Sequence, residues 1–426
     1  MKKMSFFASV LAAIALTACS NENDPVVDDP SLSGDRVLKI NVSTLTTKAE
    51  HPGGVTGLRT KIEDGSIYFF DRNENAVFQY SLTGPDMALL NGSSTKKTID
   101  VPNVPTSALS VMLITNYAVT DGANLTYPAV TSKSKSDIEA LSFEIKNMQP
   151  RATTATGYNN VVDKVVMTGE AEIESSTGTD NATIHTADIQ ITPVLSRLEV
   201  GSVRCTTISE GLDQPGQITK FRLKGIFIPN HYAAGSVLGV GNGSLVNPAN
   251  DGTKYTAASF PTPNMFDVSK DANTLTKASV NYFAYHTFPA AGAANLPHIV
   301  VAVDNVWFID NDKKEYQWKN GATQYFVVSK YTNNETGATA GAALEEFVKA
   351  QIYRISGTDP GTATIDPATG KPSTEPGSIT VTIPGGTGGV EFGLDDLTDK
   401  PYDKDKTVSC NITILGWTLV PIAPAK

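Results

Sequence analysis

The dominant pattern along this chain is the alternation of apolar and polar residues over short runs. In Val37–Thr44, Leu38, Ile40 and Val42 alternate with Lys39, Asn41 and Ser43, the period-two signature of a half-buried strand. Ser66–Asp71 and Ala76–Tyr80 flank an Asn-containing turn and predict a hairpin. Leu109–Asn116 is almost continuously apolar and predicts a central strand, and Val165–Thr168 and Ala187–Thr192 add two more. A second series follows: Leu195–Val200, Phe221–Pro229, Val280–Phe288, Ile299–Val303, Tyr325–Ser329, Gln351–Ile355, Ile379–Ile383 and Thr407–Leu415. Trp307–Trp318 predicts a hairpin with aromatic residues on either side. Helical patterns are few. Ser134–Ile145 is one, with Ser136 and Asp137 as caps and Ile138, Leu141 and Ile145 on one face. Ala342–Lys349 is a shorter one, and the Gly/Pro/Thr-rich stretch Gly357–Gly377 is expected as an exposed loop.

The two ends depart from this pattern. Lys2 and Lys3 precede an apolar run, Phe6–Leu16, which is too short to span a bilayer as a finished helix. Leu16-Thr-Ala-Cys19 closes that run. Ser20–Asp35 is a polar tether with acidic residues Glu22, Asp24, Asp28 and Asp29, and it buries too little to order itself. After the first strand, Thr46–Gly54 is a polar loop in which a trypsin-like protease would take Lys48–Ala49, with Arg59 as second choice. At the other end, Trp417–Lys426 is apolar and extended in character. Its Pro421 and Pro424 lack backbone donors, which argues against a central position in a sheet. Such a segment can still join an open sheet edge, including one on another molecule.

Composition narrows the function classes. A length of 426 residues suits two or three domains, and a 40% hydrophobic share supplies real cores. Charged residues make up only 18%, while Gly and Pro are abundant, as in chains of many strands joined by turns. The net charge of -10 argues against a nucleic-acid partner, because phosphate binding requires clustered Lys and Arg. Candidate chemistry is sparse. The five histidines share no metal-ligand spacing. Gly239–Gly243 lacks the lysine and the strand–helix setting of a phosphate loop, and Asp310-Asn-Asp312 lacks the glycine and distant glutamate of a calcium loop. No nucleophile elbow is present. These absences favour a structural or binding role over catalysis and imply no cofactor. Beyond Cys19, Cys205 and Cys410 lie in strand-like runs and could form a disulfide or stay as buried thiols.

In order, these features are similar to those of the fimbrillins, the type V pilus subunits of Bacteroidales. Leu16–Cys19 resembles a bacterial lipobox, which implies removal of residues 1–18 and lipidation of Cys19. The first strand with its basic site, the strand ending in Thr115-Asn116, Val166-Met-Thr-Gly-Glu170, Leu195–Val200 and Cys410–Trp417 follow in the family's sequence. Phe347-Val-Lys-Ala-Gln351 departs from it. The resemblance implies an all-β fold of two tandem transthyretin-like β-sandwich domains, 49–193 and 194–416, with short helices in the connections. Residues 19–48 become a lipidated tether and displaced first strand, and 417–426 a donor strand. It further implies maturation at Lys48–Ala49 and departure of the strand bearing Leu38, Ile40 and Val42. Trp417, Leu419, Val420 and Ile422 of another subunit would then enter its place. Partners would be identical or related pilins, and the outer membrane through the lipid before maturation. Two alternatives stay open: a monomeric surface lipoprotein that binds glycans or host proteins, and a tip or anchor subunit.

Overall fold

The computed structural model describes residues 36–44, 59–60, 62–92, 96–118, 126–131, 133–148, 162–163, 165–179, 182–200, 203–205, 216, 218–246, 265–267, 283–333, 342–355, 357–358, 362–366, 371–372, 380–382, 387–388, 390–400, 402–403 and 405–416. They form an all-β molecule with two large sheets.

The first sheet contains β1 (Arg36–Thr44), β2 (Gly65–Phe70), β3 (Ala76–Ser81), β4 (Lys96–Val104), β5 (Ser110–Thr115), β7 (Met167–Glu172), β8 (Glu174–Thr177) and β9 (Thr183–Pro193). A short strand, β6 (Ser142–Glu144), lies between β5 and β7 in sequence. The spatial order is β3-β2-β5-β7-β9-β1-β4, with β8 also on β9. The predicted hairpin is β2–β3, and β5 is central as expected, between β2 and β7. β9 changes partners along its length: its first part pairs with β1 and β8, and Thr192 and Pro193 pair with β7. A strand that switches in this way lets a sheet turn back over one core. At that turn β7 and β9 approach so closely that a Cβ on Gly169 would lie 2.3 Å from the Gln190 carbonyl oxygen. This is the physical reason for glycine in the Val166–Glu170 motif.

The second sheet has β10 (Ser196–Val200), β11 (Ile218–Phe227), β14 (Met265–Asp267), β15 (Phe283–Thr287), β16 (Ile299–Ile309), β17 (Glu315–Gln317), β18 (Gln324–Asn333), β19 (Gln351–Ile355) and β20 (Thr407–Gly416). Its order is β14-β11-β16-β18-β20-β19-β10-β15, with β17 on β16. β20 repeats the device of β9, running parallel to β18 through Ile412 and then antiparallel to β19 through Gly416. The aromatic hairpin is present as β16–β17, with Phe308 edge-on to Trp318 at 5.6 Å.

Two further strands, β12 (His231–Ser236) and β13 (Gly241–Val246), form a small sheet with β6. Residues on either side of position 194 therefore share a ladder. Val194 and Leu195 also pack in the first core, and Phe143 meets Phe288 at a centroid distance of 5.1 Å. His231 opens β12 and is 2% exposed. Burial pushes its imidazole down from 6.5 to about 4, against the opposing effect of a hydrogen bond with the Ile228 backbone. The unfolded chain therefore holds the extra proton between those two values, so stability falls as pH drops through that window. We expect about 3 kcal/mol of acid destabilisation from this residue. Urea titrations of wild type and His231→Gln at pH 7 and pH 4 test it, and equal pH slopes would remove the assignment.

Several expectations need correction. The helix expected over 134–145 is only α2 (Lys135–Glu139), preceded in chain order by an unforeseen α1 (Gly84–Leu90). α2 is capped by Ser134 and Asp137 rather than by Ser136. It stops because Ser142–Glu144 is drawn into the ladder with β12. Ala342–Lys349 is not helical: Glu346–Phe347 pairs with Ala290–Ala291, and Phe347 stacks on Tyr353 at 3.9 Å. The expected loop over 357–377 contributes short strands at Gly357–Thr358, Thr362–Asp366 and Lys371–Pro372. Of the two states open to Cys410, disulfide or buried thiol, it takes the second, and burial raises its pKa.

Candidate functional site

The candidate site is the slot occupied by β1. Its alternation places Leu38, Ile40 and Val42 in the first core at 0%, 0% and 3% exposure. They share that core with Ile99 and Val101 of β4 and Ile189 and Ile191 of β9. Burying three such side chains is worth roughly 5–9 kcal/mol as an upper estimate. β1 lies between two strands, antiparallel to β4 and parallel to β9. A parallel neighbour cannot be joined by a tight turn. The strand is thus inserted into its sheet with its ladder partners far away in sequence.

Polar groups fix its register. Asn41 donates from Nδ2 to Asp188 Oδ1 on β9 at 2.6 Å and accepts at Oδ1 from Thr98 Oγ1 on β4 at 2.6 Å. At the start of the strand, Arg36 Nη2 donates to the Ala108 carbonyl, and Arg36 Nη1 lies 3.3 Å from His185 Nδ1. A guanidinium can only donate, so His185 Nδ1 is the acceptor. Ser175 Oγ lies 2.8 Å from the same nitrogen. Desolvation first, and then the Arg36 charge, hold His185 below its ordinary pKa, which keeps the ring neutral and able to accept.

β4 is the outermost strand of the sheet, with β1 as its only ladder partner among the described residues. Pro102, which has no N–H, sits on this edge strand, as is usual where outward pairing must be prevented. Lys97 on β4 is 8% exposed, and its ammonium donates to the Leu90 carbonyl at 2.5 Å and the Gly92 carbonyl at 2.8 Å, at the end of α1. Burial lowers its pKa.

Sequence reasoning found the three inward residues but missed Arg36, Asn41 and Lys97. The first precedes the predicted strand, the second is one of its polar alternation positions, and the third lies in β4, which no expected element covers. Cys19, Lys48, Ala49, Trp417, Leu419, Val420 and Ile422 lie outside the described residues. Arg59 is placed in a two-residue strand, Arg59–Thr60, parallel to Val162–Asp163. The strand leading to the tail, β20, is internal to the second sheet, and Gly416 is its last register partner, opposite Gln351. Among the described residues no three His, Cys, Asp or Glu side chains group to hold a metal, and no helix is long and apolar enough to cross a membrane.

No family model matches the chain, and no curated protein matches it in sequence. Solved structures do match. A candidate cell adhesion protein from Bacteroides eggerthii DSM 20697 aligns at 13% identity and a TM-score of 0.48, covering 92% of this chain and 98% of that one. A second, from Parabacteroides distasonis ATCC 8503, aligns at 10% identity and a TM-score of 0.46, covering 90% and 99%. A fimbrilin from Porphyromonas gingivalis W83 aligns at 14% identity and a TM-score of 0.45, covering 91% and 99%. At these identities and scores the functional reading rests on the residues of this chain.

Proposed function

We infer that this chain is a non-catalytic structural subunit of a cell-surface fimbrium, exported as a lipoprotein through Cys19 and polymerised by exchange of β1 for the tail of another copy. The observation that carries the reading is the position of β1: an N-terminal strand, buried between two others, with no tight turn to either. Such a strand can leave with the order β3-β2-β5-β7-β9 intact, and only β4 loses its ladder. Its departure exposes two ladder edges and an apolar trench, which any chain of matching character will fill.

Cleavage supplies the switch. While β1 is covalently attached, its effective concentration at the slot is high and an intermolecular tail cannot compete. Cutting at Lys48–Ala49 removes that advantage and leaves the lipid on the departing segment. Arg59 suits the protease less well, because a residue paired in a ladder is not free to enter a protease cleft. Donor tail and slot belong to different parts of one chain, so the contact is head-to-tail and propagates as a filament.

The test is maturation in vitro. Limited trypsin treatment of purified full-length protein is expected to give a new N-terminus at Ala49 and SDS-resistant multimers, while untreated protein stays monomeric. A treated protein cut at that bond, free of β1 and still monomeric would refute the exchange.

A further inference from the structure

We propose that Lys97 is the positioning residue that keeps β4 standing as the outer wall of the slot after β1 has left. The proposal rests on the exchange reading above, because only a departing β1 makes the wall depend on anything else.

While β1 is present, β4 is held along its length from Arg36↔Val104 to Ser43↔Lys96. Removing β1 takes the whole of that ladder, and the Arg36 contact to the Ala108 carbonyl goes with it. A strand with no ladder partner is free to collapse into the trench it should border. What stays is the packing of Ile99 and Val101 in the core, which is non-directional, and a hydrogen-bonded tie at each end. At the far end, a turn closed by Ala108 N–H donating to the Pro105 carbonyl at 3.1 Å leads directly into β5. At the near end is the Lys97 ammonium on the Leu90 and Gly92 carbonyls. The last carbonyls of a helix lack intrahelical donors, and a lysine there supplies one carrying full charge.

The anchor of this tie does not depend on β1 either. Asn91, the C-cap of α1, accepts at Oδ1 from the Ile62 N–H at 2.9 Å and donates from Nδ2 to the Ile62 carbonyl at 2.8 Å. Ile62 is buried just ahead of β2. At the other end of the helix the Thr83–Asp86 capping box fixes α1, and Tyr80 on β3 donates to Asp86 at 2.9 Å. A continuous route therefore runs from β4 through Lys97, the end of α1 and Asn91 to β2, without touching β1. Lys97 also stands opposite Val42 in the register, so it sets the wall where the last apolar side chain of an incoming strand must seat.

The experiment compares full-length wild type, Lys97→Met, which keeps the apolar stem, and Lys97→Arg, which keeps the charge. Each is cleaved within 45–58, the freed strand is removed in mild urea, and uptake of a fluorescent peptide spanning Arg36–Thr44 is timed. Wild type is expected to take up the peptide, Lys97→Met about tenfold more slowly, and Lys97→Arg close to wild type. Before cleavage all three should unfold cooperatively, and the loss of uptake in Lys97→Met should exceed the fall in its precursor stability, because the ladder with β1 holds β4 there; a merely structural lysine would lower both alike. Should Lys97→Met fail to fold, Asn91→Ala breaks the same route at Ile62 and is expected to slow uptake likewise. Wild-type uptake rates in Lys97→Met and Asn91→Ala overturn the proposal, as does a wild-type body unable to take back the peptide. Peptide uptake that depends on Lys97, without assembly through residues 417–426, upholds the clamp and removes the donor-tail reading.

Discussion

Ending the chain at Gly416 is expected to abolish assembly of the cleaved protein and leave its fold intact. Gly416 is the last register partner of β20, so the truncated strand keeps its pairing with β18 and β19. Under the proposed exchange, what is lost is the group of apolar side chains that a neighbour would receive. Two or three such residues re-buried at ~1.5–3 kcal/mol each amount to several orders of magnitude in association. Alternation sharpens the expectation. Trp417 and Leu419 share one face of an extended tail, and Val420 and Ile422 share the other. A trench that accepts Leu38, Ile40 and Val42 from a single face accepts only one of these pairs in a regular strand. Substituting each pair by Asp is therefore expected to block assembly for one pair and spare it for the other. SDS-resistant ladders from the Gly416-terminated protein equal to those of full length would show that the tail is not the donor.

The second large effect separates the precursor from the mature body. Ile40→Ala removes a fully buried side chain and is expected to cost the uncleaved protein about 2–5 kcal/mol. After maturation the substitution departs with β1, so filaments made from that precursor should match wild type in resistance to SDS and heat. Phe69→Ala, in β2 of the same core, is expected to cost about 3–5 kcal/mol in both forms. Urea unfolding of precursor and mature proteins reads the difference. A mature Ile40→Ala body as weakened as its precursor would mean that β1 never leaves.

The strands were legible wherever alternation or a long apolar run set them apart. Leu38, Ile40 and Val42 turned inward as their spacing requires, and Leu109–Asn116 became a central strand. The short helices were harder to read. α1 spans about two turns, too few for periodicity to register, and its Gly84-Pro85 start resembles a turn. Its true signals are local: proline in the first turn and the Thr83–Asp86 box. The helix expected at 342–349 failed because Phe347 gains more by stacking on Tyr353 than a short exposed helix would return. Within the site, the apolar half of the slot could be read from sequence and the polar half could not. Asn41, Thr98 and Asp188 meet only because of register, and Lys97 becomes a clamp only because α1 ends beside it.

The parallel pairing of β1 with β9 also bears on how the molecule folds. Asn41 and its partner Asp188 are separated by 147 positions, so the first of the described strands to be made is among the last to find its seat. Non-local closure of that kind is slow and exposed to aggregation, and until it happens the rest of the sheet borders an empty berth. A body that has closed without β1 has the same vacant berth that the proposed cleavage would create. Under the proposed exchange, a strand carried on the same chain would outcompete the tail of another copy for that berth, so nascent copies would be kept from joining too soon.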